Sequence, residues 1–139
     1  MLAREMMDAK LEEHFGFEAR DDVEGVLSTL TEDVEHDIVG WPAGPSHGRE
    51  ATRGFYTALF ADLADGQVKS IRRLYGDNFL VDESVWSGRA AGRPFGLEGR
   101  GRPLSFRLLH VLEFTEGGRI SRENVWIDTA AIQQQLPQD

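Results

Sequence analysis

Apolar residues change their spacing twice along the 139-residue chain, and each change predicts a new kind of element. From Leu2 to Arg20, Met7, Leu11, His14 and Phe15 recur at three- and four-residue intervals, the period of one helix face. Asp21-Asp22-Val23-Glu24 then starts a second, short helix with an acidic cap, carrying Val23, Val26, Leu27 and Leu30. Val34 to Val39 reads as a strand. Gly40-Trp41-Pro42-Ala43-Gly44-Pro45 can only be a loop, because its prolines and glycines forbid regular pairing. A third helix is predicted from Gly48 to Asp65, stopped by Gly66, with Ala51, Phe55, Leu59 and Leu63 on one side.

After Gln67 the pattern is strand-like: Val68 to Tyr75, Phe79 to Ala91, and two final runs flanking Gly117-Gly118. Thr129 to Leu136 reads as a last helical turn. Helices first and antiparallel strands after predict an α+β domain over residues 1–139, with three N-terminal helices packed on a strongly curved, mainly antiparallel sheet that encloses a cavity. Side chains alternate faces along a strand. Phe106, Leu108, His110, Leu112 and Phe114 therefore share one face, and Arg122, Asn124, Trp126 and Asp128 share another. If those faces coincide, the hairpin offers a few polar groups on an apolar wall, as small-molecule pockets do. Glu123 would then point away from the pocket. The opposite face, with Leu109, Val111, Val125 and Ile127, would need cover, which predicts a homodimer through the outer sheet face.

Composition narrows the partners. A net charge of −9 argues against nucleic-acid binding, and no run approaches a membrane span. Charged residues break up the first twenty positions, unlike a signal peptide, and the absence of cysteine suits the cytoplasm. Arg89, Arg93, Arg100, Arg102 and Arg107 cluster with Glu98 as the one acid among them; they read either as a rim for an anionic group or as surface arginines paired with acids.

The order of elements resembles the nuclear-transport-factor-2-like cone fold of ketosteroid isomerases, limonene-epoxide hydrolases and SnoaL-like polyketide cyclases. The resemblance rests on Val34-Glu35-His36-Asp37, His47-Gly48-Arg49-Glu50 before Phe55-Tyr56, Val111-Leu112-Glu113-Phe114, Gly118-Arg119-Ile120, and Trp126-Ile127-Asp128 with Gln134-Gln135-Leu136. The aspartate and its Gln-Gln-Leu tail look most like the SnoaL-like branch. That resemblance implies Asp128 as general acid/base. The isomerase resemblance implies Asp37, or His36 one position off, as the base, with His14 and His110 where that family keeps its oxyanion-hole tyrosine and aspartic acid. The epoxide-hydrolase resemblance is incomplete, since Arg107-Leu108-Leu109 stands where those enzymes carry Arg-x-Asp.

The candidate catalytic residues are thus Asp128, His110 and Asp37, with His14, His36, Trp41, Phe106, Asn124, Trp126 and Arg122 lining the pocket. Desolvation would raise the pKa of Asp128 toward values useful for proton transfer, although Asp128 could equally cap the last helix. The expected activity is cofactor-independent, metal-free acid/base chemistry on a small hydrophobic carbonyl compound, as a cyclase or isomerase. The alternatives are a non-catalytic ligand-binding or dimerisation module and an epoxide-hydrolase-like enzyme.

Overall fold

A computed structural model describes residues 1–139. Helix α1 (Arg4–Ala19) buries Met7, Leu11, His14 and Phe15, the stripe its spacing predicts. Helix α2 (Val23–Ser28) starts where Asp22 accepts a hydrogen bond from the Gly25 amide at 2.9 Å, satisfying a donor the first turn leaves free. Strand β1 (Leu30–Val39) follows, then β2 (Ser46–His47), α3 (Gly48–Asp62), β3 (Leu63–Gly76), β4 (Phe79–Ala90), β5 (Arg102–Phe114), β6 (Ile120–Ile127) and α4 (Thr129–Gln135). Several boundaries differ from expectation: Leu30 opens β1 and is not on α2, and β3 starts at Leu63, five residues before Val68. β1 begins four residues earlier than Val34, and α3 ends at Asp62, where the chain turns straight into β3. Gly66 is therefore not a helix stop but part of an irregular stretch of β3, between Ala64 and Gln67.

The six strands lie in the order β2-β1-β6-β5-β4-β3, antiparallel except for the parallel β1–β6 pair. The helices pack on one side of this mixed, curled sheet, the α+β arrangement expected of the cone fold. Two apolar clusters form the core. One joins α1, α2 and β1 to β4, β5 and β6; the other gathers Leu63, Ala90, Leu104 and Phe106 with Ile132 and Leu136 of the C-terminal segment.

The β5–β6 register settles which residues face inward. The connection is longer than a two-residue turn: the Gly118 amide bonds the Thr115 carbonyl at 2.9 Å, and Gly118 takes φ +87°, where a side chain would be strained. Phe114 pairs with Ile120, but Glu113 pairs with Arg122, so Ser121 is an extra residue in a β-bulge. A bulge reverses the alternation beyond it. His110 consequently pairs with Val125, while Trp126 pairs with Leu109 and Asn124 with Val111. The expected coincidence of His110 with Asn124 and Trp126 is corrected: those two face outward, and Glu123, Val125 and Ile127 face inward.

Candidate functional site

Cross-strand rows on the inner face build the site. In one row His36, Glu123, Leu112 and Leu80 are successive partners; in the next, Ile38, Val125, His110, Asp82 and Arg73. Above them, α1 supplies His14, Phe15 and Glu18, and α3 supplies Phe55 and Tyr56.

Glu123 is the electrostatic centre, only 2% exposed. Tyr56 Oη donates to its Oε1 at 3.2 Å, with His14 Nε2 at 3.3 Å and His36 Nε2 at 3.5 Å from the same oxygen. The protons follow from the partners. The Thr29 hydroxyl donates to the Val26 carbonyl at 2.6 Å, so at 2.7 Å from His14 it accepts from Nδ1–H. Nε2 then faces Glu123 as a second donor, and His14 is an imidazolium. Burial lowers the pKa of His14, but attraction to Glu123 and Glu18 outweighs it and carries the value to about 9. Burial pushes Glu123 up, yet His14, His36 and His110 hold it well below the usual carboxylate range. Burial keeps His36 the other way, with its pKa lowered and its ring neutral. Its Nε2 lies 3.2 Å from Tyr56 Oη, whose proton already goes to Glu123, so His36 donates there.

The pocket opens beside this cluster, with about 770 Å³ of space not filled by protein atoms, part of it open to solvent. Its walls are mainly apolar and rich in aromatic rings: Trp41, Phe55, Phe60, Trp86, Phe95 and Phe106 all line it. Trp41 meets Phe95 edge-on at 4.6 Å and Phe55 at 5.2 Å; Trp86 stacks on Phe106 at 5.3 Å. Gly66 makes room for the Trp86 indole, because a Cβ there would lie 2.8 Å from Nε1. The polar lining consists of Glu18, Asp21, Tyr56, His110 and Glu123; no lysine or arginine takes part. Glu18 Oε2 is buried without a hydrogen-bond partner, 3.7 Å from His14 Nε2. Burial pushes the Glu18 carboxyl up to about 7.

The expected site residues divide into three groups. His110, Trp41 and Phe106 line the pocket. His14 and His36 do not reach it but hold Glu123 from behind. The third group lies off the pocket. Asp37 pairs with Asn124 on the outer face, where Arg122 Nε donates to Asn124 Oδ1 at 2.7 Å and Trp126 is 45% exposed. Asp128 caps α4, accepting from the Ala131 amide at 3.1 Å. The sequence reading missed Glu18 and Glu123. Glu18 was within reach, four residues after His14 on one helix face; Glu123 was hidden by the bulge. Most of the clustered arginines are matched by acids, Arg89 with Asp65, Arg93 with Glu98 and Arg100 with Asp139, while Arg102 binds backbone carbonyls.

No helix is long and apolar enough to cross a membrane. No curated protein matches the chain. Solved structures do. TsrD from Streptomyces laurentii superposes with TM-score 0.85 at 19% identity, covering 99% of this chain and 98% of that one. A SnoaL-like protein from a Jannaschia species gives 0.84 at 14% identity, covering 100% and 98%. An epoxide hydrolase of the limonene-epoxide-hydrolase-like type from M. tuberculosis gives 0.74 at 17%, covering 94% and 89%. At such identities these likenesses establish the fold. Residues 6–136 match the SnoaL-like polyketide cyclase family, and the chain belongs to that family.

Proposed function

We propose that the protein binds an uncharged, hydrophobic carbonyl compound in the aromatic pocket and moves a proton on it without a cofactor, as a cyclase or isomerase. One observation carries this reading. Of the polar groups lining the pocket, Asp21 is exposed, and Glu123 and Tyr56 are consumed by bonds to each other and to the histidines, whereas Glu18 and His110 keep free positions. Glu18 and His110 are then the acid/base pair. One takes a proton from the carbon next to the carbonyl, and the other hydrogen-bonds the oxygen that becomes an enolate. The enolate is reprotonated at another carbon in an isomerase. In a cyclase its carbon attacks a second carbonyl, and the new alkoxide takes the proton. The absence of lysine and arginine from the lining disfavours anionic substrates. The role first expected of Asp128 or Asp37 passes in this reading to the Glu18–His110 pair.

A screen of cyclic ketones, polyketide-like aromatics and epoxides, read by Trp41 and Trp86 fluorescence and then by turnover, tests it. Glu18→Gln and His110→Ala should each lower kcat by about a hundredfold or more while leaving affinity within a few fold. Wild-type turnover in Glu18→Gln, or a dead Asp128→Asn, would return the chemistry to the last strand.

A second reading, ligand carriage without catalysis, is favoured by Glu123 itself, whose bonds within the protein read as a satisfied polar core. It requires binding with no turnover of any compound in the screen. Epoxide hydrolysis has less support, because Arg107 is exposed on the far face of β5. The exposed Val39, Leu74, Leu109 and Trp126 on the outer face support a homodimer, which Trp126→Asp should dissociate in light scattering. A cysteine-free chain with these features suits the cytoplasm.

A further inference from the structure

His110 is paired across the sheet with Asp82, which is paired in turn with Arg73, so the register alone sets three ionisable side chains side by side. Asp82 is fully buried. Its Oδ2 accepts from Ser70 Oγ at 2.5 Å and from Arg73 Nε at 2.8 Å. Its Oδ1 has no hydrogen bond closed upon it, and His110 Nδ1 lies 3.4 Å from it. Burial pushes the Asp82 carboxyl up, but His110, Ser70 and Arg73 overcome this and hold it at about 2, so it is a carboxylate at any pH of interest. A buried carboxylate oxygen demands a donor. If His110 carried its proton on Nε2, the Nδ1 lone pair would face that oxygen and repel it. With the proton on Nδ1, the contact becomes a charge-assisted hydrogen bond. The Ser84 hydroxyl, 3.3 Å from Nδ1, can accept from the same N–H. Nε2 has no protein partner, and the ring lines the pocket.

We propose that Asp82 is a positioning residue that holds His110 with Nδ1 protonated and Nε2 bare, so that His110 is the proton acceptor of the pocket and Glu18 the donor. This division of roles rests on the acid/base reading of Glu18 and His110; the tautomer itself does not. The groups around the ring are compatible with it. Phe15 packs against it from α1 at 5.1 Å between centroids, and Glu18, Glu123 and His36 act on it from α1, β6 and β1 as neighbouring titratable groups. Arg73 also binds Asp8 at 2.9 Å and Glu12 at 2.5 Å on α1, the helix that carries Glu18. One ion network thus anchors both partners of the proposed reaction: it fixes the ring through Asp82 and the helix through Asp8 and Glu12.

The experiment is nitrogen NMR on histidine-labelled protein at a pH where the His110 ring is neutral, with His110→Ala used to assign its signals. Wild type should show the Nδ1–H tautomer, opposite to the Nε2–H form that histidine prefers in water. Asp82→Asn should shift the balance toward Nε2–H by about tenfold or more, the loss of one charge-assisted bond. Ser84→Ala should leave Nδ1–H in place. A wild-type Nε2–H signal overturns the proposal, as does loss of Nδ1–H in Ser84→Ala, which would make serine the anchor. If Asp82→Asn does not fold, the wild-type and Ser84→Ala spectra decide alone. Once a substrate is in hand, Asp82→Asn should lower kcat more than it raises KM, and adding it to His110→Ala should cost nothing further. The expected spectra with no compound turned over would uphold the positioning of His110 and defeat the catalytic reading instead.

Discussion

Replacing Glu123 by glutamine removes the nearer of the two carboxyl groups against which His14 is buried, the one with the larger effect on it. In the wild type the His14 pKa stands at about 9 instead of the ordinary 6.5. His14 has no exposure to solvent, so no screening discount applies. At about 1.4 kcal/mol per pH unit the rise corresponds to about 3 kcal/mol of folding stability. That agrees with the roughly 3–5 kcal/mol lost when one partner of a buried ion pair is removed. The sign is fixed by linkage. A histidine whose folded pKa is raised stabilises the fold fully below its unfolded pKa, and loses that contribution as pH climbs through the folded value. Glu123→Gln should therefore be about 3 kcal/mol less stable than wild type at pH 6, or roughly 10 °C lower in Tm. The gap should narrow above about pH 9, where wild-type His14 gives up its own proton. Equilibrium urea unfolding of both proteins at pH 6 and above pH 9 measures this directly, with m-values expected to match. A difference under about 0.5 kcal/mol at pH 6, or a large one unchanged with pH, would refute the ion-pair argument.

Three further outcomes follow from neighbouring sites. Glu18→Gln should stabilise the protein above about pH 7 and have no such effect below about pH 4.5, because a carboxyl whose folded pKa is raised costs stability once it ionises; thermal melts across that range test it. Asp128→Ala should cost about 1 kcal/mol through the lost cap of α4, while Asp128→Asn, itself a good cap, stays within about 0.5 kcal/mol in urea unfolding. Gly66→Ala should drive the Trp86 indole off its seat, costing about 1–3 kcal/mol and changing tryptophan emission and pocket affinity together; unchanged emission would contradict the packing.

The fold was legible because its signals are local. Helix stripes, the Asp22 cap and the glycine-bearing turn each act within a few residues, and each appears where its pattern places it. The ends of β1 and α3 were less so: the pairing of Leu30 with Ile120, across a register shift before Glu35, carries β1 back to Leu30, and α3 yields at Leu63 to pairing with Ala90. The site was only half legible. His110 and Phe106 could be placed from alternation within one strand, which no bulge interrupts before the pocket, and Trp41 from its proline-rich loop. Glu123 could not, because a single extra residue at Ser121 exchanges the faces of everything after it. Asp82 stood unremarked in its strand, since its meaning lies in being opposite His110, a matter of register between strands 28 residues apart.

The parallel pairing of β1 with β6 sets a timetable for how this protein is made. His14, His36 and Tyr56 leave the ribosome long before Glu123, the residue that all three contact. Until then the N-terminal half holds three buried polar groups without the carboxylate that joins them, and β1 lacks its neighbour on that side. Its core therefore closes only when β6 docks, after synthesis has passed Ile127. Truncation anywhere before β6 should leave a sticky, chaperone-bound fragment and not a smaller folded unit.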